Sequence, residues 1–589
     1  MSAHLASLRR SMTEHQCDYY LVGSSDPHQN EYIPSCWQRR AAVSGFTGSA
    51  GDALIGHDGA WLWTDGRYFL QAENELDDAH WTLMRMGIDD SLTDWLSKQK
   101  AIRVGVDPST ISLALAKKLS QTLNANGSEL VPLAENLVDQ HLNLPNKTHQ
   151  PITPYPTDVS GKSVPDKLEA IRKLMRQEQA SALLVAALDE LAWLTNTRGT
   201  DIPYNPVSIG FAIVTLNHVD VFIDAPLTDE LNTHWKGTGI YVHPYDNFYE
   251  HLQQLTGGVW YDPTQISWYV QHNLRTSTLI AKPSPIAHMK AIKNSVELTR
   301  SCEAHKADAL ALIRFMHWLE THWETGVTES SAAKRLATFR LDNPLCRDLS
   351  FPSISGFGKN GAIIHYEADE TNDLPITDEA IYLLDSGGQY WGGTTDVTRC
   401  MHFGKPTAEE RRHYTLVLKA HLALRHAVFA KGTTGYALDC ITRQALWREG
   451  FDFAHGTGHG VGTYLCVHEG PHNISPRNNN VPLEKGMLVT NEPGLYLEGK
   501  HGIRIENVMT VVKAHDKNPE HGLHRDVLAF IDLTLVPYER NLIDTHYLSS
   551  EEIQQINDYH ALIEEKLSSS LTDQSDVLHW LKQKLAPLA

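Results

Sequence analysis

The chain has 589 residues, 41% of them hydrophobic and 21% charged, with a formal net charge of −20. That length exceeds what one hydrophobic core serves, so two to four domains of a soluble globular protein are expected. The negative charge argues against nucleic acid or an anionic membrane as a principal partner, and no run is long and apolar enough to cross a bilayer.

The N-terminus, Met1 to Arg10, has no apolar stretch of the kind that marks a signal peptide. The seven cysteines are scattered and lack CxxC spacing, so they read as reduced core residues of a cytoplasmic protein.

The first two domains read as copies of one another. Leu8 to Met12, Gln16, Tyr19 to Val22 and Asp26 match Ile171 to Met175, Gln179, Ala182 to Val185 and Asp189 at a constant offset of 163 residues (16 to 179). Each copy predicts an amphipathic helix, a buried strand and then further strands, at Ala53 to Ile55 and Ala60 to Thr64 in the first and at Gly210 to Leu216 and Val219 to Asp224 in the second. Alternating helices and strands indicate α/β domains. Leu144 to Asp166 carries five prolines and reads as a linker, and Lys282-Pro283-Ser284-Pro285 is a second break. The expected boundaries are 1–158, 159–287 and 288–589.

The third domain opens with a predicted helix from Ser295 to His322, although Val296, Ala307, Leu310, Ile313 and Met316 fit an apolar stripe only loosely. A second helix is expected after Gly404-Lys405-Pro406, with Thr407 and Glu410 at capping-box spacing, running to about Phe429. The tail from Val577 to Leu585 reads as a surface-packed helix.

Between these elements lie two carboxylate pairs. Asp385 and Asp396 flank Gly387, Gly388, Gly392 and Gly393, between the apolar run Ala380 to Leu384 and the β-branched run Thr394 to Thr398. A symmetric hairpin would set Asp385 opposite Asp396. Glu492 and Glu506 flank Gly499 and Gly502 in the same way, and folding about Gly499 sets them opposite each other. Residues directly opposite on one face have Cβ atoms about 4.5–5.5 Å apart, and like charges there repel. Facing acid pairs beside apolar strands need a cation, a shared proton or solvent. His459 lies between the pairs in sequence, in His455-Gly456-Thr457-Gly458-His459-Gly460. Four carboxylates and one imidazole form a mainly hard-oxygen ligand set that suits Mn²⁺, Mg²⁺ or Co²⁺. Bridging carboxylates would hold two ions about 3.5–4 Å apart, as in two-metal hydrolases.

Other patterns are weaker. His468-Glu469-Gly470-Pro471-His472 spells H-E-x-x-H, but Gly470-Pro471 forbids the helix a zinc protease needs. His365 lies in an apolar run, where a lone histidine is more often a hydrogen-bonded core residue, and the same holds for His455. Arg504 could neutralise excess carboxylate charge or be a surface strand cation. No Walker A motif and no G-x-S-x-G elbow occur.

The order Asp, Asp, His, Glu, Glu, with Gly-Thr-Gly-His-Gly, Asn-Glu-Pro-Gly and Arg-Ile-Glu around those residues, resembles the pita-bread metallopeptidases, in particular the long three-domain Xaa-Pro aminopeptidases. Ser44 to Gly51, Trp63 to Phe69, Ala187 to Leu194, Gly361 to Tyr366 and Val467 to Pro471 extend the resemblance from about Leu8 to about Ile563. The resemblance implies two creatinase-type α/β domains followed by an α+β pita-bread catalytic domain. It implies release of the N-terminal residue from peptides with proline in second place, and a homodimer. It assigns two divalent ions, Mn²⁺ first with Co²⁺ or Zn²⁺ as alternatives, to Asp385, Asp396, His459, Glu492 and Glu506. A hydroxide held between the ions would attack, with Glu492 as general base. His365 and His468 would serve the scissile carbonyl and the oxyanion, His455 the proline pocket, and Tyr496 and Arg504 the support of the site. Competing readings are a prolidase acting on Xaa-Pro dipeptides and a non-catalytic peptide-binding module that has kept the fold.

Overall fold

The computed structural model describes residues 2–276, 278–369, 371–514 and 526–589. These form two compact units, one comprising residues up to 157 together with 162–287, the other 158–161 together with 288–589.

The first unit contains two six-stranded sheets of one topology. In the first sheet the strands run, edge to edge, Thr82–Arg85, Ala60–Thr64, Asp52–Gly56, Tyr19–Val22, Arg103–Val106 and Glu129–Pro132. In the second they run Ile240–His243, Val219–Phe222, Phe211–Thr215, Ala180–Val185, Gly258–Tyr261 and Leu279–Ala281. In each, the opening strand pairs antiparallel with the next strand in sequence and parallel with the fifth of the set. The repeat seen in the sequence extends to backbone detail. Gln16 and Gln179, the paired glutamines, both follow the helix end in the left-handed region, at φ 55° and 57°, which is how a helix chain is turned back toward a strand. The helix Val164–Gln177 shows why the pattern folds so: Ser163 caps it, and Val164, Leu168, Ile171 and Met175 make one buried stripe. Burying each such side chain contributes about 1.5–3 kcal/mol.

The expected linker is only partly irregular. Thr153–Pro154 pairs with Thr197–Arg198, Thr157–Ser160 is helical, and the next helix begins at Val164. Part of this proline-rich stretch thus pairs its backbone with protein in place of water.

The second unit begins with the helix Ser295–His322, closed by a capping box between Asn294 and Glu297. Its apolar stripe is loose because the helix is covered on several sides: Ala304, Ala307, Leu312, Ile313, Phe315, Met316 and Leu319 are all buried. The capped helix after Thr407 spans Ala408–Arg425 and stops short of Phe429. Val428–Ala430 instead forms an edge strand on Val527–Asp532, a sheet pairing that outcompetes helix continuation. The C-terminal helix Ser575–Lys584 is no loose surface element, since Trp580 and Leu581 enter the main core with Leu585 beyond it.

Two sheets meet in this unit. One has Ile354–Phe357, Tyr382–Ser386 and Val397–Met401. The other runs Val428–Ala430, Val527–Asp532, Asn507–Lys513, Leu488–Asn491, Gly458–Gly460 and Glu469–Ile474. They touch where the Glu506 amide donates to the Thr398 carbonyl at 3.2 Å. The acid pairs lie on either side of that seam.

Candidate metal centre

The first hairpin differs from the expected register. Asp385 pairs with Thr398, not Asp396, and the same register continues to Gln389 opposite Thr394 and Tyr390 opposite Gly393. The two-residue turn is Trp391-Gly392, with Gly392 at φ 110°, one position later than a symmetric fold of the glycine run would put it. Moving the turn by one residue moves the register by two, and strand side chains alternate with period two. Asp385 and Asp396 therefore still point to one face, as diagonal neighbours. The second hairpin follows the expected register. Asn491 pairs with Asn507 and Gly494 with Arg504, so Glu492 and Glu506 occupy the step between two ladders in one register about Gly499.

Asp385, Asp396 and Glu506 are buried, at 7%, 4% and 1% exposure. Asp396, His459 and Glu506 each offer a donor atom within 4.8 Å of the others. His459 Nε2 lies 3.4 Å from Asp396 Oδ2 and 3.6 Å from Glu492 Oε1. Its Nδ1–H donates to the Gly460 carbonyl at 2.9 Å, which leaves Nε2 facing the carboxylates. Burial lowers the affinity of His459 for a proton, but the Asp396 hydrogen bond and the Glu492 charge reverse this and hold it at about 9.

The carboxylates repel one another. Burial, then Asp396, Asp385 and Glu492, push Glu506 well above the carboxylate range. Burial chiefly raises Glu492 to about 7. Asp385 is raised by burial and by Asp396, against the opposing pull of Arg504. One oxygen of Asp385 and one of Glu506 are buried and lack any hydrogen-bond donor. Four acids beside one arginine, two orphaned oxygens and an imidazole nitrogen that would give up its proton on binding are the donor set a divalent cation would satisfy.

Arg504 is buried, not a surface cation. Its Nη2 donates to Asp385 Oδ2 at 2.7 Å and its Nη1 to the Tyr496 hydroxyl at 2.6 Å. The Tyr496 hydroxyl lies 2.8 Å from His455 Nε2, while His455 Nδ1–H donates to the Gly456 carbonyl at 2.7 Å. Arg504 donates to the Tyr496 hydroxyl, and with His455 Nδ1 bound to the Gly456 carbonyl the hydroxyl's own proton is placed to go to His455 Nε2. His455 also lies 3.9 Å from Glu492. The His468 ring stands edge-on to that of His459, centroids 4.3 Å apart. His365 follows Ile364, whose carbonyl accepts from Arg504 Nη2 at 3.4 Å. His472 accompanies none of these. It lies on the strand Glu469–Ile474 and bonds the Leu488 carbonyl, so the H-E-x-x-H spelling carries no zinc helix.

Comparisons with known proteins give the family. Residues 301–513 match metallopeptidase family M24, and 526–588 match the C-terminal region of that family. Residues 4–140 and 143–297 each match a creatinase/prolidase N-terminal domain. A probable Xaa-Pro aminopeptidase P of Laccaria bicolor is 42% identical over 99% of this chain and 93% of its own. The chain belongs to metallopeptidase family M24, among its Xaa-Pro aminopeptidases. A second relative of that description, from Aspergillus niger, is 41% identical over 100% of this chain and 99% of its own. The crystal structure of an X-prolyl aminopeptidase from Caenorhabditis elegans, described as a cytosolic enzyme with a di-nuclear active site, superposes with TM-score 0.96. It shares 33% identity and covers 100% of this chain and 99% of that one. An Xaa-Pro dipeptidase from Bacillus anthracis covers 64% of this chain and 99% of its own at TM-score 0.52 and 23% identity, a likeness of fold alone.

Two supports of this enzyme's site escaped the sequence reading. Thr398 Oγ1 donates to Glu506 Oε2 at 2.9 Å and accepts from Arg504 Nε at 3.3 Å. Its place opposite Asp385 follows from the true register and would have exposed it. Thr490 Oγ1 accepts the His459 amide at 3.0 Å, a contact with no signature in sequence spacing.

Proposed function

We propose that the enzyme removes the N-terminal residue from peptides with proline in second place, using two divalent ions, Mn²⁺ first, held by Asp385, Asp396, His459, Glu492 and Glu506. Asp385 would serve one ion, His459 and Glu492 the other, with Asp396 and Glu506 shared. The observation that carries the reading is the buried cluster itself, whose orphaned Asp385 and Glu506 oxygens have no protein donor to meet them and which His459 Nε2 faces. The di-nuclear active site of the nematode relative supports the count of two.

Bound there, the ions would polarise the scissile carbonyl and supply the attacking hydroxide near neutral pH. Glu492 would take the proton from the attacking water and pass it to the departing proline nitrogen. His468, standing on the His459 ring, would donate to the developing oxyanion, and His365 would hold the scissile carbonyl. Arg504 holds Asp385 in place through two hydrogen bonds and, through Tyr496, sets the His455 tautomer. A bond to proline is a tertiary amide without N–H, so the pocket behind it need not offer an acceptor. The rings of His455 and Phe453, centroids 4.8 Å apart, form an apolar wall suited to that role.

The test is Asp396→Asn, with metal measured in the purified protein beside peptide cleavage. About two ions per wild-type chain, and joint loss of metal and activity in the variant, is the expected result. Full activity in the variant, or fewer than one ion in a fully active preparation, refutes the site.

A further inference from the structure

Glu506 and Thr398 face the carboxylate cluster, so their sequence neighbours Asn507 and Arg399 point the other way. Behind the site lies a second, fully buried polar network. Arg399 is 1% exposed, and its hydrogen bonds all go to neutral acceptors. Its Nη1 donates to the backbone carbonyl of Glu506 at 2.7 Å and to that of Thr398 at 2.8 Å. Its Nη2 donates to Asn507 Oδ1 at 2.8 Å, to the Val536 carbonyl at 2.7 Å and to the Tyr559 hydroxyl at 3.1 Å. Tyr559 lies on the helix Ser550–Leu567. Its hydroxyl also meets Asn507 Nδ2 at 3.3 Å and donates toward the Val536 carbonyl at 3.0 Å. Asn507 Nδ2 donates onward to Asp532 at 2.8 Å.

Burying a guanidinium without a carboxylate partner in hydrogen-bond contact is expensive, and here the guanidinium joins three chain segments at one point. It grips the backbone of Glu506 itself, the strand before the seam, and the segment after Val536. The C-terminal region has no residue among the candidate ligands, yet Val536, Pro537 and Tyr559 supply half the acceptors of Arg399.

We infer that the C-terminal region braces the metal site from behind, with Tyr559 and Arg399 as positioning residues that hold Glu506 at the angle its shared carboxylate requires. The inference rests on Glu506 being a metal ligand. Partners bonded directly to a ligand's side chain typically change metal affinity about 10- to 100-fold when removed, and Tyr559, which acts through Arg399 on the Glu506 backbone, belongs at the low end of that range. Tyr559→Phe deletes one hydroxyl and keeps the ring packed, so it disturbs the fold less than any change at Arg399. Ile563→Ala, on the same helix and in the main core, destabilises the helix without touching Arg399.

The experiment is Mn²⁺ affinity of the full chain by chelator competition, for wild type, Tyr559→Phe, Ile563→Ala and Glu506→Gln, with the visible spectrum of bound Co²⁺ beside it. Expected are an affinity loss of about tenfold and an altered Co²⁺ spectrum in Tyr559→Phe, against less than twofold and an unaltered spectrum in Ile563→Ala. Wild-type affinity in Tyr559→Phe, or an equal loss in Ile563→Ala, overturns the brace. Glu506→Gln separates the two failures: if it binds Mn²⁺ as wild type does, the ligand assignment has failed and the brace with it. If it is weakened while Tyr559→Phe is not, only the brace has failed.

Discussion

Replacing Glu469 with Gln should cost about 3–5 kcal/mol of stability, far more than the loss of an ordinary surface ion pair. Glu469 follows His468 directly and pairs across the sheet with Gly460, the residue after His459. Its carboxylate is fully buried between two ammonium groups, Lys290 at 2.8 Å and Lys293, whose side chains are 2% and 0% exposed. The triad carries one excess positive charge, so its three members are not equivalent. Replacing Glu469 takes away the one carboxylate that both buried ammonium groups contact, the costly case. Replacing Lys290 with Met leaves the hydrogen-bonded Lys293–Glu469 pair in place and should cost less than Glu469→Gln. An exposed pair would be worth about 0–1 kcal/mol in either direction. The assay is urea unfolding of both variants after chelation, because bound metal would add its own stabilisation. A loss below 1 kcal/mol for Glu469→Gln, or a larger loss for Lys290→Met than for Glu469→Gln, would show that the triad does not carry the strand behind the site.

Other expectations concern catalysis and pH. His468→Asn should lower kcat by about 10²–10³-fold, the range for loss of one oxyanion donor, with metal content unchanged. Loss of metal instead would make His468 a ligand. His28 is buried, donates through Nδ1 to the Ala186 carbonyl at 2.8 Å and meets the Tyr245 hydroxyl at 2.9 Å. Burial chiefly lowers its pKa from 6.5 to about 3. The folded state therefore stays neutral where the unfolded chain takes up a proton, so this contribution is complete above pH 6.5 and is lost as pH falls toward 3. Its share is about 1.4 kcal/mol per pH unit, or about 2 kcal/mol by pH 5. Unfolding of wild type and His28→Asn at pH 7 and pH 5 checks it: the variant should lose less on acidification, and equal losses would contradict the assignment.

Local pattern carried much of this molecule. The duplicated helix–strand unit, the capping box at Thr407 and the turn at Gly499 are all contained in short stretches of chain. The first hairpin shows where local pattern runs out. Gly387, Gly388, Gly392 and Gly393 offer more than one turn, and only the packed structure selects Trp391-Gly392. The face of Asp385 and Asp396 survived that error because an even shift preserves side-chain parity. The supports of the site were illegible for a different reason. Arg399 meets Glu506 across 107 residues and Lys293 meets Glu469 across 176. Pairings at such separation leave no periodicity to read in a single chain.

The most direct measurement is release of the N-terminal residue from an Arg-Pro-Pro peptide and a matched Arg-Ala-Pro peptide, with Mn²⁺ added and again after chelation. The account predicts cleavage of the first peptide only, abolished by the chelator and restored by Mn²⁺. Cleavage of Arg-Ala-Pro at a similar rate, chelator-resistant cleavage, or no cleavage by folded, metal-loaded enzyme would contradict it.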